Sequence, residues 1–238
     1  MINILKNIPR IDSLKEQMLP NHLAFAVRSV GCCPKQEKHR ESLGVEKVLN
    51  MIKLQTKLNI PIFTLQLENQ LPKDLQLLDL IVSELINNEL IKTNKIKIMF
   101  IGNWFELPIV ITENIKKIMD QTKDYDNFFF NLMVNYDGHE EISTAVKLLT
   151  IKAINKQIDA EKINNDLIKE SLYTSYFVPP ELIIQCGYRY SGLLLWDSPG
   201  AVVYFTKSKH WLTMDKRDFE DTFVYYKKCL VEESKRNL

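Results

Sequence analysis

Short apolar runs alternate with helical stretches along almost the whole chain, and several runs are apolar at consecutive positions rather than at every second one. A strand that is apolar on both faces has to be covered on both faces. That requirement restricts it to a mostly parallel sheet with helices packed above and below. The runs are His22–Val27, Ile60–Leu67, Ile96–Ile101, Phe128–Asn135, Glu181–Gln185 and Ala201–Phe205. Helical spacing is read over residues 11–19, 40–58, 73–92, 109–122, 140–156, near 159–171, and 218–235. The expected fold is therefore α/β. Ligands of such sheets sit at the carboxyl ends of strands, which directs attention to the loops after Val27, Leu67, Asn135, Ile184 and Phe205.

At 238 residues, with 45% hydrophobic and 26% charged side chains, the chain suits one domain, 1–238, built on one core. A formal net charge of +1 gives no field to recruit nucleic acid. The cysteines are Cys32, Cys33, Cys186 and Cys229; none form a CxxC pair, and adjacent Cys32 and Cys33 are badly spaced for a metal. Reduced thiols and a cytoplasmic location are the expectation. The first ten residues lack the apolar core of a signal peptide, and no run nears the ~18 apolar residues of a membrane span, so any membrane association is peripheral. No glycine-rich phosphate loop of the dinucleotide or Walker type occurs.

Six short motifs occur in a fixed order: Pro20-Asn-His-Leu-Ala24, Asn59-Ile-Pro61 with Glu68-Asn69, Phe100-Ile-Gly-Asn103, Leu107-Pro108, Asn135-Tyr-Asp-Gly-His-Glu-Glu-Ile142, and Arg189-Tyr-Ser-Gly-Leu-Leu-Leu-Trp196. In that order they resemble the cis-prenyltransferase family (undecaprenyl diphosphate synthase-like enzymes), and the chain reads as a divergent member. The resemblance runs from about Leu19 to about Glu233. It implies the family's α/β sandwich with an apolar tunnel, and prenyl diphosphates as ligands. The broad apolar stripe over Leu75–Ile91 either lines that tunnel or packs on the sheet.

Chain elongation on an allylic diphosphate needs its leaving charge neutralised by magnesium, cationic side chains and backbone N–H groups. Magnesium prefers carboxylate oxygens. Where the resemblance expects the metal-binding Asp and phosphate loop, the chain reads Arg28-Ser-Val-Gly-Cys-Cys33, of which only Gly31 matches. A guanidinium offers donors and no lone pair, so Arg28 cannot bind magnesium. It either clamps diphosphate directly or lies solvated in a decayed loop. The family's second carboxylate, six residues after the block Trp, falls on Val202. Its first homoallylic-site Arg falls on Gln185, while Arg189 and Ser191 are kept. Arg40, beside His39, resembles a helix-start phosphate contact. The expected substrate or diphosphate-binding set is Arg28, Gly31, Arg40, Arg189 and Ser191, with no metal ligands and no cofactor. Tyr188 and Tyr190 either stack on Arg189 or a ligand, or simply pack.

Asp137 and His139 could form an acid–base dyad, or Asp137 or Glu140 could cap the helix that follows. Two functions follow from these departures. One is a non-catalytic family member, a partner subunit in polyprenyl diphosphate synthesis, as a homodimer or as a heterodimer with an active cis-prenyltransferase. The other is a metal-independent isoprenoid synthase or terpene cyclase on a short allylic diphosphate, with Arg28, Arg40, Arg189 and His139 holding the diphosphate and Asp137, Glu141 or Asp197 moving protons.

Overall fold

The computed structural model describes residues 19–27, 40–67, 72–206 and 211–236, and of Arg40, Pro72 and Lys73 only the backbone. Residues 11–18 of the helix read at 11–19, together with Arg28 and Gly31, lie outside these residues. Strands are β1 His22–Ala26, β2 Ile62–Gln66, β3 Ile96–Ile101, β4 Phe128–Met133, β5 Leu182–Gln185 and β6 Val202–Phe205. Helices are α1 Arg40–Leu58, α2 Pro72–Asn87, α3 Glu89–Thr93, α4 Ile109–Gln121, α5 Gly138–Ile154, α6 Asn165–Glu170 and α7 Lys216–Arg236. The six strands form one sheet in the order β3-β4-β2-β1-β5-β6. Every pairing is parallel. Parallel strands need crossovers, and the helices supply them, as the both-face apolar runs require.

The register separates two faces of different chemistry. Leu23 and Phe25 of β1, Phe63 and Leu65 of β2, and Phe130 and Leu132 of β4 join a core with Met51 of α1, Leu78 and Ile81 of α2, Ile115 of α4 and Phe223 of α7. Phe25, Phe63 and Phe130 are wholly enclosed, and the last two stack at 5.4 Å. Removing such side chains from water stabilises the fold by about 1.5–3 kcal/mol each. The opposite face holds Ala24, Ala26, Ile183 and Met133, covered by Tyr136, Phe177, Leu193 and Leu194. A polar lane of His22, Thr64, Gln66, Asn131 and Gln185, all buried, crosses this second face.

Most of the stripe read over Leu75–Ile91 is buried, while Leu80 is exposed. Leu77, Leu78, Ile81, Val82, Leu85, Ile86 and Ile91 are buried against the sheet and the neighbouring helices. At the carboxyl-end top of this layer, a pocket lined by Val27, Leu67, Asp74, Leu77, Leu78, Ile81 and Trp211 measures only about 10 Å³. The single helix read over 73–92 is two, α2 and α3, because the Asn88 carboxamide accepts the Leu90 amide at 3.0 Å and starts a new helix. The polar helix read near 159–171 is a 3-10 turn, Ala160–Lys162, followed by the short α6.

Candidate functional site at the carboxyl ends of the strands

Gln66 ends β2 and Gln185 ends β5, on either side of β1. Both side chains point to the polar face, since they register with Ala26 from its two sides. After β5 the chain turns through Gly187, whose φ is +91°. It then returns over the strand end, so that the Ser191 amide donates to Gln185 Oε1 at 2.9 Å. Gln185 Nε2 donates to the Cys186 carbonyl at 3.0 Å. The Ser191 hydroxyl donates to Gln66 Oε1 at 3.2 Å, and Gln66 Nε2 donates to the Tyr136 carbonyl at 3.4 Å. Three side chains at the mouth are thereby bonded to one another and to the loops. Arg189 is exposed beside them, as is Tyr188, while Tyr190 is half-buried and donates its hydroxyl to the Leu193 carbonyl.

The loop after β4 is held by Asn135, which adopts φ +49°. Asn103 of the loop after β3 donates its side-chain amide to Glu140 at 2.9 Å and its backbone amide to the Asn135 carbonyl at 3.3 Å. Asp137 is the N-cap of α5, its Oδ1 accepting the amides of His139 at 2.8 Å and Glu140 at 3.2 Å. The capping reading is the one the geometry carries. The His139 ring is 83% exposed with Nδ1 3.6 Å from Asp137 Oδ1, too far for a proton-transfer hydrogen bond.

Glu141 and Asp197, considered above as proton movers, lie in a buried network behind this loop. Glu141 accepts the Tyr136 hydroxyl at 2.7 Å, and the Thr174 amide and hydroxyl at 3.0 and 3.1 Å. Asp197 sits 3.2 Å from the same Thr174 hydroxyl and pairs with Lys169 at 2.5 Å. Burial, opposed by these hydrogen bonds, raises the Glu141 carboxyl above its ordinary range, and it pushes Tyr136 far up, so the phenol stays protonated and donates. These groups hold α5, the turn at 172–177 and the 191–197 block together. They do not reach the mouth as free acids.

The chain matches the prenyltransferase family model of undecaprenyl diphosphate synthases over residues 28–231. It belongs to this cis-prenyltransferase family. Curated relatives include a tritrans,polycis-undecaprenyl-diphosphate synthase (geranylgeranyl-diphosphate specific) of Picrophilus torridus, 27% identical and covering 88% of both chains. A synthase of the same name from Methanocaldococcus jannaschii is 29% identical, covering 87% of this chain and 80% of its own. An isoprenyl transferase of Clostridium tetani is 28% identical over 85% of this chain and 87% of its own. The fold matches that of lavandulyl diphosphate synthase from Lavandula x intermedia, with a TM-score of 0.75 at 22% identity over 87% of this chain and 95% of that one. A probable undecaprenyl diphosphate synthase from Campylobacter jejuni superposes with a TM-score of 0.67 at 21% identity over 88% and 96%. Membership sets the chain's chemistry in isoprenoid diphosphate synthesis.

Two placements were not visible in the residues alone. Val202 pairs with Leu182 at the amino end of β6, whereas Gln185 pairs with Phe205. Val202 thus lies at the opposite end of the sheet from Gln66 and Gln185. Asp74, in the first turn of α2, is buried in the small pocket beside Val27 and Leu67. Its signal was an acid at i, i+4, i+7 spacing with Leu78 and Ile81 on the apolar stripe. Among the described residues no three His, Cys, Asp or Glu side chains converge as a metal site, and no helix is long and apolar enough to cross a membrane.

Proposed function

We propose that the chain is a family member that does not elongate on its own and acts as a partner subunit in polyprenyl diphosphate synthesis, in a homodimer or a heterodimer with an active cis-prenyltransferase. The observation that carries this reading is the closure of the mouth. The groups nearest Arg189 that would meet a homoallylic diphosphate, Gln185 and the Ser191 amide and hydroxyl, are already bonded to each other and to Gln66. A neutral amide in place of a guanidinium also removes a charge-assisted hydrogen bond, which contributes about 1.5–3 kcal/mol. The donors described at the mouth are amides, a hydroxyl and the buried Asp74, whereas a magnesium–diphosphate clamp calls for converging carboxylate oxygens.

The test is to assay the purified chain with magnesium, an allylic diphosphate and radiolabelled isopentenyl diphosphate, alone and then mixed with an active cis-prenyltransferase. The expected result is no product alone and an altered rate or chain length in the mixture. Robust elongation by the chain alone overturns the reading. New terpenoids from geranyl or farnesyl diphosphate in the presence of EDTA would instead establish a metal-independent synthase.

A further inference from the structure

The segment 187–192 runs over the carboxyl ends of β5 and β2 between two enclosed neighbours. Cys186 before it is 1% exposed, and Leu193 after it 0%. Within the segment no residue is buried, and Tyr188 and Arg189 are exposed. A glycine stands at each end, and both lie in the left-handed region, Gly187 at φ +91° and Gly192 at φ +80°. A Cβ at Gly192 would meet nothing within 4 Å, so that glycine answers to backbone conformation and not to crowding. The torsions are therefore freest at the two points where a hinge would turn.

Beyond the two glycines the chain is fixed. The Cys186 amide donates to the Ala26 carbonyl at 3.0 Å and extends the sheet by one bond. On the other side, Leu193 and Leu194 are packed in the core of the second face. Leu194 is held at φ +53°, which a residue with a bulky side chain keeps only where its surroundings enforce it. The segment between them is held lightly. It makes no backbone–backbone hydrogen bond to the rest of the described residues. Its attachments are the Ser191 amide on Gln185 Oε1 at 2.9 Å, the Ser191 hydroxyl on Gln66 Oε1 at 3.2 Å, and the half-buried Tyr190 ring on the second-face core.

We propose that residues 187–192 form a hinged strap that opens and closes over the carboxyl ends of β2, β1 and β5, while the strands and the 193–197 block stay in place. Turning about Gly187 and Gly192 frees Gln66 Oε1 and Gln185 Oε1. These two residues register with Ala26 from its two sides, at the end of the sheet where parallel strands receive ligands. Opening strands no charge in the interior, since both acceptors are neutral carboxamides that water can satisfy. The gate rests on the closed mouth of the proposed function and adds that the closure is reversible.

Amide hydrogen exchange on the full chain, followed by NMR at stepped sub-denaturing urea, tests this. The Ser191 amide is expected to be protected about 100-fold, at least ten-fold less than the Cys186 and Asp197 amides on either side of the strap. Its exchange should not respond to urea, because a local opening exposes little surface, whereas exchange at Cys186 and Asp197 should rise with urea. Ser191→Ala removes the bond to Gln66 and should lower protection at position 191 about five-fold, with the urea response still flat. The proposal fails if the Ser191 amide shares the urea response of Cys186 and Asp197, for the strap then moves only with the sheet. It also fails if that amide is unprotected, or if Ser191→Ala leaves its protection unchanged. Elongation by the chain alone overturns the partner-subunit reading without altering these rates, so the two fail separately.

Discussion

The Ser191 backbone amide lies 2.9 Å from Gln185 Oε1, so the residue that ends β5 holds the segment that returns over the strand end after Arg189. Gln185 is wholly buried, and its two polar ends are used. Gln185→Leu should leave the Ser191 amide and the Cys186 carbonyl without their partner, costing about 1–3 kcal/mol. For a chain of this size that corresponds to a fall in Tm of roughly 3–10 °C by differential scanning calorimetry. Ser191→Ala, which removes one bond at a half-exposed position, should cost about 1 kcal/mol or less. Equal losses for the two would mean that Gln185 does not organise the mouth.

His22 sets an acid limit. Its Nδ1 is 2.7 Å from the Val178 carbonyl and can only donate there, so Nε2 accepts the Thr64 hydroxyl at 2.8 Å, and Thr64 in turn accepts from Asn131 at 3.0 Å. That chain works with a neutral ring. Burial, opposed by the Val178 carbonyl and the carboxylates Asp197 and Glu181, lowers the pKa from 6.5 to about 4. Between those values the unfolded chain binds the proton and the folded chain does not, so stability falls as pH drops from 6.5 towards 4. The loss approaches about 3 kcal/mol when complete. Glu141 acts in the opposite sense, since its raised folded pKa favours the native state below the ordinary carboxylate range. Urea unfolding at stepped pH should therefore show a His22-dependent decline below 6.5, which His22→Asn flattens. An unchanged pH slope in that variant would contradict the neutral-ring assignment.

The Tyr136 hydroxyl is one of three donors to the buried Glu141 carboxylate. Tyr136→Phe should cost about 1.5–3 kcal/mol, the range for a hydrogen bond to a charged group. Since the phenol holds the carboxylate's charge, the loss should shrink on acidification, as Glu141 protonates and no longer needs the donor. Equilibrium unfolding of both proteins, stepped downward in pH from 7.5, measures that difference, and a pH-independent gap would count against a charged Glu141.

How far the sequence foretold this arrangement depends on where each residue's energy comes from. Strands such as Phe128–Met133 were legible because burial on both faces forbids polar alternation, and that constraint is local. The break at Asn88 was hidden because Leu85, Ile86, Leu90 and Ile91 continue the apolar stripe across it, and one side-chain bond to the Leu90 amide decides the cap. That position 185 carries no charge could be read directly. Its partnership with Gln66 could not, because the two meet only once the order β2-β1-β5 brings the two strand ends to either side of β1. Val202 shows the same limit. Spacing from Trp196 located it in the chain, but only the register with Leu182 revealed which end of the sheet it occupies.

Asp137 offers a direct discrimination between cap and catalyst. As a cap it should lose about 1 kcal/mol on mutation to Ala and little on mutation to Asn, because Asn also accepts at the N-cap. His139→Ala, at an exposed ring, should change stability by less than about 0.5 kcal/mol. A Asp137→Asn variant as damaged as Asp137→Ala would show that the negative charge itself is required.

The backbone is closely approached at Gly138, the first residue of α5. A Cβ there would meet the Gly192 carbonyl oxygen and the Leu195 Cβ, each at 2.5 Å. Neither neighbour can swing away, since one is main chain and the other the root of a side chain. Gly192 differs: a Cβ there meets nothing within 4 Å, but its φ of +80° is one that other residues adopt at a cost. Gly138→Ala must push α5 off the 191–197 block and should cost about 3 kcal/mol, at the upper end of overpacking effects. Gly192→Ala needs no displacement and should cost about 1–2 kcal/mol of backbone strain. The two should also differ in kind. Displacing α5 loosens the Glu141–Thr174 contacts, so Gly138→Ala should speed hydrogen exchange at the Thr174 amide, while Gly192→Ala leaves that amide protected. If Gly192→Ala proves the more destabilising, the contact between α5 and this block is not what holds the loop over the mouth.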